Sequence, residues 1–254
     1  MEEKKKRIDL IDALRGLAVT LMVIHHMLYN LAEFLGAPWW LFTNPVFDFL
    51  QVIFIGVFVG LSGVSSRFSR SNVRRGLIAL ALASGIAVVT YIMGMPIWFG
   101  ILHLLGVCMV FFGLTRRFWD LIPDRASPVI FIALIAASSF ARAFIKLTSE
   151  SLQVRNLLAI LGWPQHDRYD VTLLPWHGGF VFVSFDYQPI LPWLFVFLLG
   201  TWAGIYIRAR KLPERFYEQK VPFFPIIGRR ALIIYVLHQP ILYGIVQLIL
   251  LLKA

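Results

Sequence analysis

The sequence predicts an all-α polytopic membrane protein of about seven transmembrane helices, and three observations carry that prediction. Of its 254 residues 59% are hydrophobic and 15% charged, with a mean hydropathy of +0.74, which is more apolar than a water-soluble globule sustains. The apolar residues fall in runs of roughly 20, the length a helix needs to cross about 30 Å of hydrocarbon while bonding its own backbone. Lys and Arg, finally, crowd into alternate connections between those runs.

The runs place spans at 9–31, 45–65, 76–94, 98–114, 128–145, 190–207 and 230–252. Nineteen of the 24 Lys and Arg lie in segments 4–15, 67–75, 116–125 and 208–230, and the other five are Arg142, Lys146, Arg155, Arg168 and Lys253. Basic residues stay on the cytoplasmic side, so the N-terminus is expected inside and the C-terminus outside. The net charge of +10 and isoelectric point of about 10.0 follow from this asymmetry. They are therefore no argument for nucleic acid, which is excluded as a partner.

The start, "MEEKKKRIDLIDALRG", is basic, but the apolar run after it is longer than a signal-peptide core and has no small-residue cleavage site. It reads as a retained first helix. The one cysteine, Cys108, lies inside the fourth span, where it serves as a small apolar residue. No repeat or linker divides the chain, so residues 1–254 are expected to form a single membrane domain. In the first outer loop, Trp39 and Trp40 sit where aromatic anchors belong. The inner loop 208–228 is basic and Pro-rich. The outer segment 146–189 has apolar runs too short to span and is expected to cap the site.

At about 100° per residue, Asp12, Arg15, Met22, His26 and Tyr29 fall within roughly 40° of one line, with Val19 on the same side. Arg15 and His26 are thus about 16 Å apart along the first helix. Charges facing lipid cost several kcal/mol, about 3 each on the insertion scale, so this stripe is expected to face the protein interior. Other spans place polar groups at compatible depths. The second carries Asp48 and Gln51, the fourth His103, and the seventh Tyr235, His238 and Gln239 just before Pro240. The set His25, His26, His103 and His238 supplies either catalytic groups or backbone ties between helices.

No HExxH motif is present, and adjacent His25 and His26 point about 100° apart on a helix, so no metal is expected. The serines of "GLSGVSS" lie at the wrong end of span two to form a triad with outer histidines. Gly56 with Gly60, and Gly200 with Gly204, have the spacing that lets helices approach closely.

In order, the blocks "RIDLIDALRGLAVTLMVIHH", "FVGLSGVSS", "WFGILHLLGV", "DYQPILPWLFVFLLGTWAGI" and "IGRRALIIYVLHQPIL" resemble the heparan-α-glucosaminide N-acetyltransferase catalytic-domain family, within the wider group of transmembrane acyltransferases. The chain looks like a short, prokaryote-like member. The resemblance implies transfer of an acetyl group from cytoplasmic acetyl-CoA, a co-substrate, to an amine or hydroxyl of a sugar or glycan on the outer face. It implies residence in the plasma (inner) membrane of a bacterium or archaeon, and it leaves a homodimer open. Arg15 and the basic inner loops, including Arg229 and Arg230, would receive the donor. Arg15, Gln51, Tyr235 and Gln239 are the candidates to stabilise developing oxyanion charge.

His26 is the favoured general base, with His25, His103 and His238 as alternates or orienters and Asp48 fixing a histidine tautomer. His166 and His177 of the outer segment are further candidates, because residues 31–44 hold no histidine. The competing reading is a small-molecule or proton-coupled transporter lined by the same groups. Inverted repeats would favour it, and none is visible in the sequence.

Overall fold

The structure, a computed structural model, describes residues 8–92, 97–147, 149, 151–163 and 186–253. All regular elements among them are helical. Six helices are long and apolar enough to cross a membrane: α1 (Asp9–Leu35), α2 (Pro45–Ser66), α3 (Asn72–Ile92), α4 (Ile101–Trp119), α5 (Ser127–Phe144) and, at the end of the chain, α10 (Ala231–Lys253). Between α5 and α10 lie α6 (Leu152–Leu161), α7 (Trp193–Arg208), α8 (Glu214–Glu218) and α9 (Phe224–Arg229). The chain is therefore an all-α polytopic membrane protein.

Boundaries differ from the hydropathy runs for local reasons. The third helix starts at Asn72, ahead of the expected 76, because its first turn holds Arg74 and Arg75, which lower hydropathy without interrupting the backbone. Its start is tied down by the Asn72 side chain, whose Nδ2 donates to Ser66 O at 3.0 Å. The expected span at 190–207 begins only at Trp193, since Pro192 occupies its N-cap. At 16 residues it is about 24 Å long, short of the hydrocarbon thickness. Loop 208–228 folds into α8 and α9, and Pro225 sits in the first turn of α9, where a missing N–H costs nothing.

Packing gathers into two compact units, one made of Met1–Leu61 with Arg210–Ala254 and the other of Ser62–Ala209. In the first, α1 packs on α9 and α10. Gly16 and Gly228 set the α1–α9 crossing. A Cβ on Gly16 would run into Phe224 O and lie 2.9 Å from Gly228 N, and a Cβ on Gly228 would run into Asp12 O. These are backbone atoms and cannot step aside. Elsewhere α1 exposes Leu14, Leu17, Ile24 and Met27, as lipid-facing residues would be. The helix ends at Gly36, whose φ of 71° favours glycine, and Ala37 N then donates back to Leu31 O at 3.1 Å. The next turn exposes Trp39 and Trp40.

In the second unit α3 packs on α4, and α7 on α5 and α4. Glycines again allow the approach: a Cβ on Gly76 would lie 2.7 Å from Gly106 O, and one on Gly204 would lie 2.9 Å from Val64 O. The glycine pattern read from the sequence is thus half structural. Gly60 has no atom within 4 Å of its missing Cβ. Where the outer segment 146–189 is described, it packs on its neighbours: Ile190 N and Leu191 N donate to Ile160 O and Leu161 O, and Arg142 Nε donates to Gly162 O at 2.7 Å. Most of the expected cap, including His166 and His177, lies outside the described residues.

Replacing Gly228 or Gly16 by Ala is expected to lower stability by about 1–3 kcal/mol or more, because the new methyl meets backbone. Gly60→Ala is expected to leave stability within about 0.5–1 kcal/mol, on the stabilising side. Thermal unfolding of the three variants in detergent checks both statements.

Candidate functional site

The polar stripe of α1 faces its own unit's interior, as its cost in lipid requires. At one end Asp12 is 8% exposed and receives Arg15 NH1 at 3.1 Å. Arg229 joins from α9, with NH2 2.7 Å from Asp9 Oδ1 and Nε 3.4 Å from Asp12 Oδ2. Arg229 therefore clamps α9 to α1 through two carboxylates, one of which Arg15 also holds within α1. Arg230, beside them in sequence, is exposed.

About 21 Å further along α1 lies His26. Its ring centroid is 4.9 Å from that of His238 on α10, edge to face at 74°. The two histidines, 212 positions apart in the chain, meet because α9 delivers α10 alongside α1. Each ring is oriented by its own helix. His26 Nδ1 lies 2.9 Å from Met22 O, and His238 Nδ1 lies 2.6 Å from Tyr235 O. A carbonyl oxygen only accepts, so the proton of each neutral imidazole sits on Nδ1, and Nε2 of each keeps its lone pair. His238 is 7% exposed, and its Nε2 is buried with no hydrogen-bond partner among the described residues. An unpaired buried acceptor costs about 1–3 kcal/mol, which marks the atom as one waiting for a proton donor.

An amide one turn beyond His26 and another immediately after His238 complete the group. Asn30 is 4% exposed, and its Nδ2 donates to Gln239 Oε1 at 3.3 Å. With the amides so oriented, the Gln239 NH2 group remains as a donor beside the pair. Tyr235 is buried, with its ring 5.6 Å from that of His238.

The other expected residues stand apart from this cluster. His25 is buried against Phe42 and Phe54, at centroid distances of 4.7 and 6.2 Å. Asp48 is exposed and makes no hydrogen bond to a histidine among the described residues, and Gln51 is half-buried on the same helix. The tautomers are fixed by backbone carbonyls, a role the sequence reading gave to Asp48. His103 belongs to the second unit, where it stacks on Phe99 at 5.7 Å. Asn30 was missed, although it falls five full turns from Asp12 and hence on the same stripe.

These features define an integral membrane protein that holds two histidine rings edge to face inside its helical packing. The chain belongs to the heparan-α-glucosaminide N-acetyltransferase catalytic family: the model described as "Heparan-alpha-glucosaminide N-acetyltransferase, catalytic" matches residues 7–240. That span covers nearly the whole chain and contains His26, Asn30, His238 and Gln239. No curated protein and no solved structure matches it. The family suggests a transmembrane acetyltransferase.

The tautomers are directly measurable. In protein labelled with 15N-histidine, neutral His26 and His238 are expected to show protonated Nδ1 and bare Nε2, the reverse of the usual preference of free imidazole. His26→Asn and His238→Asn variants assign the signals.

Proposed function

We propose that the protein transfers an acetyl group from acetyl-CoA to an amine or hydroxyl acceptor, a sugar or glycan on the outer face of a plasma (inner) membrane, with His26 as general base and His238 as its partner. The observation that carries this reading is the pair of Nδ1-protonated imidazoles whose Nε2 atoms keep their lone pairs.

In the proposed reaction His26 Nε2 accepts the proton of the acceptor N–H or O–H as that group attacks the thioester carbonyl. The new C–N or C–O bond forms, the carbon–sulfur bond breaks, and the CoA thiolate leaves to take up the proton. His238 Nε2, buried and unpartnered, holds the acceptor's hydrogen-bonding group or relays the proton. The Gln239 amide NH2, held by Asn30, stands as donor to the developing oxyanion, with Tyr235 as a second candidate. Arg229 acts at a distance, by holding α9 and so the start of α10 in place on α1, and Arg15 by orienting the Asp12 carboxylate that Arg229 shares.

Thiol release from acetyl-CoA by the purified protein, with a panel of amino sugars and glycans as acceptors, tests the proposal. His26→Ala and His238→Ala are each expected to cut acceptor-dependent release about 10²–10⁴-fold while remaining folded. His25→Ala and Asp48→Asn are expected to cost less than about tenfold. Full activity in folded His26→Ala would remove the base assignment, and failure of acetyl-CoA to bind at all would remove the acyl-transfer reading.

A further inference from the structure

Within the second unit, the ends of four helices enclose a cleft of about 510 Å³. It lies where α2, α4 and α7 finish and α5 begins, and it is lined by Arg67, Arg116 and Arg208 together with Asp120 and Asp124. By the Lys and Arg count all of these ends lie on the cytoplasmic side. Topology alone would scatter these arginines around the rim, whereas here three separate connections contribute to one concavity.

The charges do not balance. Arg67 is 5% exposed, donates Nε to Thr201 O at 2.9 Å, pairs NH1 with Asp120 Oδ1, and stacks 4.9 Å over the Phe112 ring. Arg116 Nε reaches Asp120 Oδ2 at 3.3 Å, so two cations share one carboxylate. Arg208 gives NH1 to a neutral acceptor, Arg67 O, at 3.0 Å. Against this surplus stands Asp124, exposed and without an ion pair among the described residues. The Asp124 backbone carbonyl accepts from Trp202 Nε1 at 2.9 Å, which fixes that indole in the wall. Trp119 and Phe131 add further apolar surface.

We propose that this cleft binds a phosphate ester that carries an amine close to its phosphoryl group. Arg116 and Arg208 hold the phosphoryl oxygens with their remaining N–H donors, a geometry for which guanidinium is well suited. Asp124 takes the amine, and the aromatic wall covers the rest of the ligand. The headgroup of an aminophospholipid reaching between helix ends from the bilayer offers this chemistry, a mode typical of basic pockets on the cytoplasmic side. A soluble adenine nucleotide does not, because its exocyclic amine is uncharged and the ribose separates it from the phosphate.

The test is direct binding to the delipidated full-length protein in detergent, with three probes: inorganic phosphate, dihexanoyl phosphatidylethanolamine and adenosine 3′,5′-bisphosphate. Arg208→Gln and Arg116→Gln are expected to weaken binding about tenfold or more. Arg117→Gln, which removes the same charge outside the cleft, is expected to change it less than about twofold. Asp124→Asn should weaken the lipid and spare inorganic phosphate. Saturation by the lipid with weaker binding of the nucleotide supports the headgroup assignment, and saturation by the nucleotide alone overturns it. No binding of any probe, or equal weakening by Arg117→Gln and Arg208→Gln, overturns the site. Arg208→Lys, which keeps the charge, is expected to recover part of the affinity and guards against a folding defect. Because thiol release is measured separately, loss of the phosphate site and loss of the acyl-transfer reading are distinguishable.

Discussion

The contact on which the first unit depends is the approach of two backbones at Gly16 and Gly228. Neither position leaves room for a Cβ, since each would meet carbonyl oxygen of the other helix. Glycine is usually a poor choice inside a helix in water, but within a membrane packing replaces the hydrophobic drive between helices, and small residues let backbones touch. Because α9 is only six residues long and runs straight into α10, its docking on α1 fixes where α10 begins. Arg229, next to Gly228, then reaches Asp9 and Asp12. The same docking carries the His238 ring to the side of His26, about two turns along α10 from its start.

The histidine pair shows how a helix can set chemistry without a second side chain. Each imidazole turns back to a carbonyl of its own helix, three or four residues earlier. That bond costs no long-range partner and leaves Nε2 pointing away from the helix it came from.

What could be read from the sequence followed from local rules. Hydropathy located the spans, because each helix must satisfy its own backbone in lipid, and the 100° rotation per residue placed Asp12, Arg15 and His26 on one buried face. Errors arose where length or charge competed with hydropathy: α3 extends through Arg74 and Arg75, and α7 starts late at Pro192. The candidate cluster was half legible. His26, His238, Tyr235 and Gln239 stand out by type and depth, while their meeting depends on the α1–α9 docking, which no spacing within either helix encodes. Asn30 lies on the same stripe, five turns from Asp12, and was equally readable. Asp48 was chosen for its chemistry and proved exposed, since a carboxylate at the start of α2 is better solvated than buried.

The two arginine clusters differ in a way that bears on where an anion can bind. In the first unit Arg15 and Arg229 face Asp9 and Asp12, so two cations meet two carboxylates. A phosphate arriving there would have to displace a carboxylate from a partly buried ion pair, leaving that charge stranded. In the second unit Arg67 and Arg116 converge on Asp120 alone, and Arg208 is bonded to a carbonyl. An anion there adds the missing countercharge and displaces nothing. Sequence gives both clusters the same label, basic residues on the inner side, and the positive-inside rule accounts for both equally. The distinction lies in the carboxylates each cluster folds against, and it assigns Arg229 to holding α9 on α1, with Arg15 on the shared Asp12, while leaving Arg116 and Arg208 with capacity for a ligand.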